Sequence, residues 1–382
     1  MKILQLAKFY PPEFGGIEQV TSDLAVGITR CGHSGDVLCF TKKPESRKEE
    51  LPEGLVFRQF SRIVLSSTPL SFSYIRKWAL LRKSYELIHL HAPNPIASLA
   101  VFLFPLVRKQ KLVVHWHSDV VKQRLLLNLF KPLQNFMLRR ADVIIVTSEV
   151  YMEGSQDLQP FQEKCQVVPI GIEDRIDDVE FTAARLLPKN ARNKKIVLGV
   201  GRLVYYKGFE YLIRSASGYP EDTIAVIAGV GEKEAELKNL VVDLGLSDKV
   251  FILGRVEYSD LLSLYRHSYI FCMSSVERSE AFGIVQLESM MFGKPVISTE
   301  IPGSGVPWVN QHGNSGIVVP PKSAEAICAA VIRLHDNENL YSAMSNGARK
   351  RFEEFFLVEK MVKEIVQIYQ GLMIPGKAAS KT

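Results

Sequence analysis

The chain has 382 residues, of which 47% are hydrophobic and 23% are charged, and its formal net charge is +6. This length predicts two domains with separate cores, and the composition excludes a disordered or low-complexity protein. Residues 54–140 hold 14 Lys or Arg against two acidic residues, Glu86 and Asp119. No nucleic-acid motif accompanies this charge, which argues against nucleic acid and leaves an anionic membrane surface or a solvated face.

The cysteines and the first residues indicate the compartment. The five cysteines lie in or beside apolar segments without a C-x-x-C pair: Cys31, Cys39, Cys165, Cys272 and Cys328. This pattern favours buried, inert thiols in a reducing compartment over disulfides or zinc. Met1 runs straight into a strand-like segment without a signal peptide's apolar region, and the longest apolar run, 96–107, is too short to span a bilayer. We expect a cytoplasmic protein, peripheral at the inner face of the cell membrane if the basic region binds lipid.

Short apolar runs alternate with helical patterns, which predicts α/β domains with parallel sheets. The strands predicted in the first half are 3–7, 36–40, 55–60, 87–91, 112–116, 143–146 and 166–169. After a polar segment at 173–195, the predicted strands are 196–200, 224–228, 250–253, 270–273, 295–298 and 317–319. The restart predicts a second Rossmann-like domain.

The last part of the chain is helical, with predicted helices at 324–334, 340–356 and 358–371. We expect the last helix to cross back to the first domain and the tail 375–382 to be frayed. The expected domains are 1–172 and 173–357, with a C-terminal segment 358–382. Another amphipathic helix is predicted at 121–140. Ligands bind beyond the carboxyl ends of parallel strands, so two such sheets facing one another would form a cleft.

Residues 279–291 read SEAFGIVQLESMM and place Glu280 and Glu288 eight residues apart. If a helix begins near Phe282, Glu280 precedes it, and eight helical steps leave the two carboxylates about 80° apart. The N–H groups of Phe282, Gly283 and Ile284 would then form an anion site. The segment predicts a carboxylate for sugar hydroxyls beside amides for phosphate, with a solvated helix as the alternative.

A basic pair follows the strand 196–200. The sequence GRLVYYKGFEYLI places Arg202 and Lys207 in a glycine-flanked loop before a helix. Two cations at a strand's carboxyl end suit a diphosphate, which gains charge on the leaving oxygen as a glycosidic bond breaks. The G-x-G pairs at 199–201 and 229–231 lack the third glycine of a dinucleotide fingerprint, which argues against a nicotinamide enzyme.

Two segments of the first half carry further candidates. Gly15 and Gly16 precede a helix, where backbone amides can approach an anion, although a plain turn explains the pair equally well. The fifth strand ends in HWHSD, and we expect His115 to be a core residue. His117 and Asp119 are the candidates for contacting a donor or acceptor hydroxyl. No third ligand with suitable spacing is evident, so no metal site is predicted.

Together these segments resemble glycosyltransferase family 4, whose members have the GT-B fold of two facing Rossmann-like domains. The resemblance covers nearly the whole chain. The family's E-x7-E element matches at Glu280 and Glu288, its basic pair at Arg202 and Lys207, its glycine-rich loop at 15–16 and its histidine strand at His117.

The resemblance implies a retaining hexosyltransferase that uses a nucleotide diphosphate sugar and a glycan or lipid-linked glycan acceptor. Glu280 would bond hexose hydroxyls, Glu288 the ribose, and the amides at 282–284 the donor sugar and phosphate. Arg202 and Lys207 would neutralise the diphosphate. The chain has no D-x-D motif, so no metal or cofactor is expected. Front-face attack would leave the departing phosphate to take the acceptor proton.

Narrower features, GGIEQV, HWHSD and EIPGSGVPWV, are similar to bacterial mannosyl and rhamnosyl transferases of lipopolysaccharide and capsule synthesis. GDP-mannose is therefore favoured as donor, with UDP-hexoses as the alternative. Many members have paired glycines and an acidic residue where this chain has residues 303–307. A phosphorylase-like enzyme would need a pyridoxal phosphate lysine and a longer chain. A non-catalytic nucleotide-sugar sensor would keep the fold without turnover.

Overall fold

The computed structural model describes residues 1–13, 15–65, 68–119, 124–178 and 185–374, with the backbone alone at 65 and 124–129. Contacts divide the chain into two compact units. Unit 1 contains Met1–Ile172 and the C-terminal segment from Val358, and unit 2 contains Glu173–Leu357. The division falls at the domain boundaries that the sequence suggested.

Unit 1 is built around a sheet in which parallel strands dominate. Its strands are β1 (Lys2–Leu6), β2 (Ser34–Thr41), β3 (Arg47–Leu51), β4 (Gly54–Phe60), β5 (Ile63–Leu65), β6 (Thr68–Leu70), β7 (Leu87–Ala92), β8 (Lys111–Trp116), β9 (Val143–Val146) and β10 (Cys165–Val167). Its helices are α1 (Gly16–Arg30), α2 (Phe72–Leu81), α3 (Pro95–Leu103), α4 (Arg124–Arg140), α5 (Glu149–Glu153) and α13 (Val358–Met373). The helices cover the sheet because each presents apolar residues at helical spacing, as Val20, Leu24 and Ile28 do in α1.

The strand order of unit 1 is β10-β9-β8-β7-β1-β2-β4-β3. The chain builds outward from β1 in one direction and then returns to place β7 against the other side of β1. The order of the strands therefore reverses between β1 and β7, and in open parallel sheets such a switch point is where ligands bind.

The sequence missed two parts of unit 1. Strand β3 pairs antiparallel with β4 at the edge, and β5 and β6 form a separate hairpin. Strand β3 reads RKEEL and exposes alternate residues. A charged edge strand of this kind discourages pairing with another chain, and it lacks the apolar run on which the strand predictions depended.

Unit 2 has a six-stranded, fully parallel sheet with the order β13-β12-β11-β14-β15-β16. Its strands are β11 (Lys195–Val200), β12 (Thr223–Ala228), β13 (Val250–Gly254), β14 (Ile270–Met273), β15 (Val296–Thr299) and β16 (Gly316–Val319). Its helices are α6 (Phe209–Ser215), α7 (Glu234–Asp243), α8 (Tyr258–His267), α9 (Ile284–Met291), α10 (Val306–Val309), α11 (Ala324–His335) and α12 (Glu338–Phe355). Here the strand order reverses between β11 and β14.

The predicted strands of both halves agree with the structure to within two residues at their ends. The last helix, α13, packs in unit 1 through buried residues that include Met361, Ile365 and Tyr369. Helix α4 covers most of the predicted amphipathic segment 121–140, but residues 121–123 and the side chains of 124–129 lie outside the described part. The tail 375–382 also lies outside the described residues.

The five cysteines are all free, but they are not all buried. Burial raises the pKa of the Cys39, Cys165 and Cys272 thiols to about 12, which keeps these three protonated and unreactive. Cys31 is exposed, so the expectation of burial was wrong for this residue. It caps the carboxyl end of α1 just before the turn at Gly32, where the chain has left the apolar face of the helix. Among the described residues, no helix is long and apolar enough to cross a membrane.

Candidate active site

The switch point of unit 2 brings together residues that follow two neighbouring strands. Strand β11 pairs with β14, so their carboxyl ends lie side by side. Arg202 and Lys207 follow β11, and Glu280 follows β14. Because opposite charges arrive from separate segments at one sheet edge, the topology itself assembles the candidate site.

An ion pair joins the two segments at this edge. The Nζ atom of Lys207 lies 2.6 Å from Oε2 of Glu280, and both side chains are about nine-tenths buried. The Ser275 hydroxyl donates to the same carboxylate oxygen at 3.0 Å. Lys207 and Ser275 thus both bind the same oxygen of Glu280, and together they hold the carboxylate in one orientation.

Backbone contacts hold the Lys207 loop against the end of β14. The Ser274 hydroxyl donates to the Lys207 carbonyl at 3.0 Å, and the Val276 N–H donates to the Tyr206 carbonyl at 2.8 Å. Gly208 has a φ of 61°, and a Cβ there would lie 2.2 Å from the Ser274 carbonyl oxygen. Only glycine permits both this left-handed conformation and this close approach. The position of the Lys207 ammonium is therefore set by the loop.

Arg202 lies at the same strand end but is exposed. Its guanidinium donates to the Tyr206 hydroxyl at 3.0 Å. The Lys207 ammonium in turn lies 5.8 Å from the centre of the Tyr206 ring. The structure thus brings Arg202, Lys207 and Glu280 together, with Tyr206 between the two cations.

Helix α9 begins later than the sequence suggested. It starts at Ile284, and the residue before it, Gly283, has φ 78° and ψ 65°. A residue in the left-handed conformation cannot belong to a right-handed helix, so α9 cannot include Gly283. The predicted start near Phe282 was therefore wrong by two residues. Among the described residues, the N–H groups of Phe282, Gly283 and Ile284 have no hydrogen-bond partner. They remain candidates for binding an anion.

Glu288, on α9, is held by a residue of α8. The buried Tyr265 hydroxyl donates to Oε2 of Glu288 at 2.7 Å. Burial raises the pKa of Glu288 to about 7, and the hydrogen bond from Tyr265 opposes the rise. Glu280 and Glu288 are therefore not equivalent, since the first is paired with a cation and the second with a neutral hydroxyl.

The segment 303–307 supports the Glu280 loop from behind. The Ser304 hydroxyl donates to the Glu280 carbonyl at 2.5 Å, and the Gly305 N–H donates to the Ala281 carbonyl at 2.8 Å. The Arg278 Nε donates to the Gly303 carbonyl at 2.7 Å. The residues that depart from the family's usual pattern therefore form hydrogen bonds with the segment that carries Glu280.

In unit 1, Gly15 and Gly16 stand at the start of α1 and are exposed. Gly15 has a φ of 171°, an extended conformation that any residue adopts, so the turn does not require glycine here. Among the described residues, no side-chain hydrogen bond caps this helix. The Glu18 carboxylate of the first turn lies against Gly15, where a Cβ would be 2.1 Å from its Oε2, so an anion that approached this helix start would meet a carboxylate.

Four histidines form a buried cluster between β7, β8 and α13. They are His89 and His91 on β7, His115 on β8 and His117 directly after it. The rings of His115 and His117 stack with centroids 4.2 Å apart, and those of His91 and His117 lie 9° from parallel. Burial lowers the pKa of His117 to about 3, and burial followed by repulsion between the rings lowers the pKa of the other three well below the usual value. The cluster is therefore neutral.

Hydrogen bonds link the cluster to its surroundings in two branches. His117 Nε2 lies 2.9 Å from His91 Nδ1, and His91 Nε2 lies 2.8 Å from Oε1 of Gln5. His89 Nε2 lies 3.3 Å from His115 Nδ1, and the Tyr369 hydroxyl of α13 lies 2.6 Å from His89 Nδ1. His115 is a core residue, as the sequence suggested.

The carboxylate of Asp119 is used inside unit 1. Its Oδ1 accepts from the Trp116 indole at 2.9 Å and from the Ser155 hydroxyl at 2.8 Å, and its N–H donates to the Tyr151 hydroxyl at 2.5 Å. These contacts anchor the end of β8 just beyond His117. They give Asp119 a supporting place at the sheet edge.

His89, His91 and His115 also offer ring nitrogens within 4.8 Å of one another, a spacing at which three ligands can hold a metal. The sequence reasoning had found no third ligand beside HWHSD, because the other two histidines lie on the neighbouring strand. Five of their six ring nitrogens already engage Tyr369, Gln5, His117 or each other, and His115 Nε2 has no partner among the described residues. A metal would have to displace these bonds.

Several residues of the two sites were missed by the sequence reasoning. They are Ser275, Tyr265, Tyr206, Gln5, His89 and His91. The H-x-H pattern of β7 was a usable signal, because β7 and β8 are neighbours and His91 pairs directly with His115. The others carry no local pattern and become visible only when separate segments meet.

Family models match both halves of the chain. The model "Glycosyltransferase Family 4" matches residues 14–175, and "Glycosyl transferases group 1" matches residues 185–351. The O-antigen chain mannosyltransferase C of Escherichia coli is 34% identical, over 98% of this chain and 99% of its own. The chain belongs to glycosyltransferase family 4. The D-rhamnosyltransferase WbpZ of Pseudomonas aeruginosa, another similar protein, is 33% identical over 93% of this family 4 chain and 92% of its own.

Solved structures similar to this family 4 glycosyltransferase share its fold. The sucrose-phosphate synthase of Thermosynechococcus elongatus has a TM-score of 0.79 and 21% identity, covering 97% of this chain and 98% of that one. Anabaena HepE, solved in complex with UDP, has a TM-score of 0.73 and 19% identity, covering 97% and 100%. The predicted GT-B fold, with two parallel-sheet, Rossmann-like domains, is confirmed.

Proposed function

We propose that this glycosyltransferase moves a hexose from a nucleotide diphosphate sugar to a glycan or lipid-linked glycan, with retention of configuration, during surface polysaccharide synthesis. The observation that carries the proposal is the Lys207–Glu280 pair at the switch point of unit 2. A cation and an immobilised carboxylate side by side match a donor that joins a diphosphate to a sugar rich in hydroxyls.

In this proposal different residues of unit 2 bind different parts of the donor. Arg202 and Lys207 bind the diphosphate, and the amides of 282–284 complete its neutralisation. Glu280 accepts hydrogen bonds from hexose hydroxyls. Glu288 accepts from the ribose. The arrangement would stabilise the negative charge that builds on the leaving β-phosphate oxygen.

The reaction then needs no protein nucleophile. The bond between the anomeric carbon and the β-phosphate oxygen breaks while the acceptor oxygen attacks from the same face, and the acceptor proton passes to that phosphate oxygen. Glu280 is engaged by Lys207 and Ser275, which supports a binding role over a covalent one. Analysis of the product's anomeric configuration tests retention.

GDP-mannose is the donor we propose, since two full-length relatives are named as mannosyl and rhamnosyl transferases. HepE has been solved with UDP, which keeps UDP-hexoses as the competing choice. A ligand that binds only the native state raises the melting temperature. A thermal-shift panel of GDP, UDP, ADP and their hexose conjugates should therefore show the largest rise with GDP-mannose, and a larger rise with UDP-glucose would contradict this choice.

Turnover separates an enzyme from a sensor. The donor that stabilises the protein should release nucleoside diphosphate in the presence of membrane extracts or polysaccharide primers. Saturable donor binding without release on any acceptor would point to a nucleotide-sugar sensor.

We also propose that transfer proceeds without a divalent metal, because two side-chain cations already lie where the diphosphate would bind. Turnover in EDTA should equal turnover in magnesium or manganese. Loss of activity in EDTA that only a divalent metal restores would refute the proposal.

We also propose that the enzyme is cytoplasmic and acts at an anionic membrane face. Among the described residues, eight of the 15 exposed large apolar side chains fall within 63–104. They lie on the β5–β6 hairpin, at both ends of α2 and at the end of α3: Ile63, Val64, Leu70, Phe72, Leu80, Phe102, Leu103 and Phe104. Phe72, at 81% exposed, and Leu80 stand eight residues apart on one face of α2 with Arg76 between them.

Helix α3 packs against both α2 and strand β6. The Trp78 indole of α2 donates to the Phe104 carbonyl at 3.0 Å, and Arg82 donates to the Pro105 carbonyl at 2.8 Å. Residues 62–109 hold seven Lys or Arg and a single acidic residue. Apolar groups interspersed with cations fit the headgroup region of an anionic bilayer, where each cation contributes about 1 kcal/mol.

Vesicle sedimentation tests this membrane proposal. Binding to phosphatidylglycerol vesicles should exceed binding to phosphatidylcholine vesicles and weaken with salt. Phe72→Ser should reduce binding, whereas Val242→Ser, a change at another exposed apolar position, in unit 2, should not. Equal binding to both lipids, or concentration-dependent dimerisation removed by Phe72→Ser, would reject the lipid partner.

A further inference from the structure

The histidine cluster of unit 1 contains a hydrogen-bond chain whose direction can be read from one end to the other. It begins at the Thr21 carbonyl of α1, which lies 3.3 Å from Nε2 of Gln5. A carbonyl oxygen can only accept a hydrogen bond. The Gln5 amide nitrogen must therefore face Thr21, and its oxygen must face His91, where it lies 2.8 Å from Nε2.

The orientation of Gln5 determines the state of two histidines. Since Oε1 of Gln5 only accepts, His91 carries its proton on Nε2. A neutral imidazole has one ring proton, so His91 Nδ1 is an acceptor. His117 Nε2, 2.9 Å away, must then donate to it. The single proton of a neutral His117 is used in this bond, which leaves Nδ1 with a lone pair.

That lone pair is unused within the described part of the protein. His117 Nδ1 is buried and has no hydrogen-bond partner among the described residues, and His117 as a whole is 6% exposed. Leaving a buried acceptor unpaired is unfavourable. His117 follows the last residue of β8, at the carboxyl edge of the sheet, where ligands of such sheets bind.

We propose that Gln5 and His91 are positioning residues that hold His117 as a neutral hydrogen-bond acceptor for a hydroxyl group of the sugar. The proposal rests on the proposed glycosyl transfer for the identity of the ligand. It excludes phosphate, because an oxyanion meets the lone pair of His117 with another lone pair.

Gln5 also connects this acceptor to the glycine-flanked helix start. Through Thr21 it joins the first turns of α1, which begins directly after Gly15. Strand β1, which carries Gln5, and strand β7, which carries His91, border the switch point of unit 1. One side chain therefore connects the two segments of unit 1 that the sequence marked as candidates.

The tautomer can be measured directly on the unmodified enzyme. Long-range ¹H–¹⁵N correlation spectra of histidine-labelled protein distinguish Nε2–H from Nδ1–H rings, and the chain has only eight histidines to assign by substitution. We expect His91 and His117 to be single Nε2–H tautomers at pH 7. A proton on Nδ1 of His117, or a charged ring, would overturn the proposal without a variant having to fold.

Variants test whether Gln5 acts through His117. Gln5→Met removes the acceptor for His91, so His117 should populate both tautomers, and kcat/KM for the nucleotide sugar should fall about five- to tenfold, the value of one neutral hydrogen bond. The Kd for the nucleoside diphosphate alone should not change, because it lacks the sugar. His115→Phe, which keeps an aromatic ring 4.2 Å from His117 but lies outside the chain, should alter neither quantity by more than twofold.

The outcomes distinguish the proposed glycosyl transfer from the proposed control of the His117 tautomer. If no nucleotide sugar is turned over, the proposed function fails while the spectra still decide the tautomer. A single His117 tautomer that persists in Gln5→Met would show that the chain does not control it. Stoichiometric zinc in the purified protein, bound by His89, His91 and His115, would replace the hydrogen-bond chain with a metal site and end the proposal.

Discussion

The two units share a topology but differ in the chemistry at their switch points. In unit 2, between β11 and β14, the side chains are charged, and Lys207 and Glu280 pair at 2.6 Å. In unit 1, between β1 and β7, the side chains are neutral, and hydrogen bonds link a glutamine to two histidines in series. The same fold thus produces one edge suited to an anion and another suited to hydroxyl groups.

The difference follows from how the buried groups of each edge are paired. The histidines lie 0–6% exposed between strands and α13, so burial keeps them neutral. Lys207 and Glu280 can remain charged at about one-tenth exposure because each is the other's counter-ion. The switch point of each sheet therefore locates the site, whereas the burial and pairing of its side chains decide whether they are charged.

Removing the carboxylate of unit 2 should produce the largest effect. Glu280→Gln leaves Lys207 without its counter-ion and removes the anchor for the sugar hydroxyls, so kcat/KM should fall about 10³-fold, the upper range for one preorganised contact. Initial rates of nucleoside diphosphate release measure this. Glu300→Gln, the same change at an exposed glutamate of unit 2, is the control. Equal activity in Glu280→Gln would mean that the charged edge does not hold the sugar.

The cations should matter next, and through the nucleotide. Lys207→Ala and Arg202→Ala should each weaken nucleoside diphosphate binding by about 10–100-fold, as expected for a lost charge-assisted hydrogen bond. Isothermal titration calorimetry measures the Kd. Lys238→Ala on α7, which removes an exposed cation paired only within its helix, should leave the Kd unchanged. Wild-type affinity in both site variants would remove the diphosphate from this edge.

Lowering the pH should destabilise unit 1 through its histidines and stabilise unit 2 through Glu288. The neutral histidines of unit 1 have pKa values below the ordinary 6.5, so their stabilisation is complete above that pH and is lost as pH falls toward about 3. Glu288 has its pKa raised to about 7, so its destabilisation of unit 2 is relieved as pH falls from about 7 to 4.5. Going from pH 7.5 to 5, hydrogen exchange corrected for its intrinsic rate should speed up in β7 and β8 but not in α8 and α9.

A control for the acid response is His312→Gln, which changes an exposed histidine of unit 2. It should leave the response of β7 and β8 as it is in the parent protein. Uniform acceleration across both units would show that the buried cluster is not what senses acid.

The smallest expected effect concerns the ribose. If an ionised Glu288 accepts from ribose hydroxyls, nucleoside diphosphate affinity should rise about five- to tenfold between pH 6 and pH 8, because its pKa lies at about 7. Glu288→Gln should flatten this pH profile of Kd. An unchanged profile in the variant would assign the titration to another group.

The sequence alone determined the architecture and the order of the motifs. Alternation of apolar runs such as KILQL and TIAVIA with helical patterns is local, so it predicted the parallel strands of both units. The spacing of Glu280, Arg202 and Lys207 predicted a family resemblance that the comparisons confirm. These signals lie within single segments, where residue type and spacing suffice.

Only the tertiary structure decided which side chains act together. The start of α9 depends on the left-handed Gly283, whose conformation no apolar pattern specifies. The contact of Ser275 with Glu280 and that of Tyr265 with Glu288 join separate segments. The protonation of His117 depends on Gln5, 112 positions earlier in the chain, because parallel strands bring distant residues side by side and a buried polar atom must find its partner there.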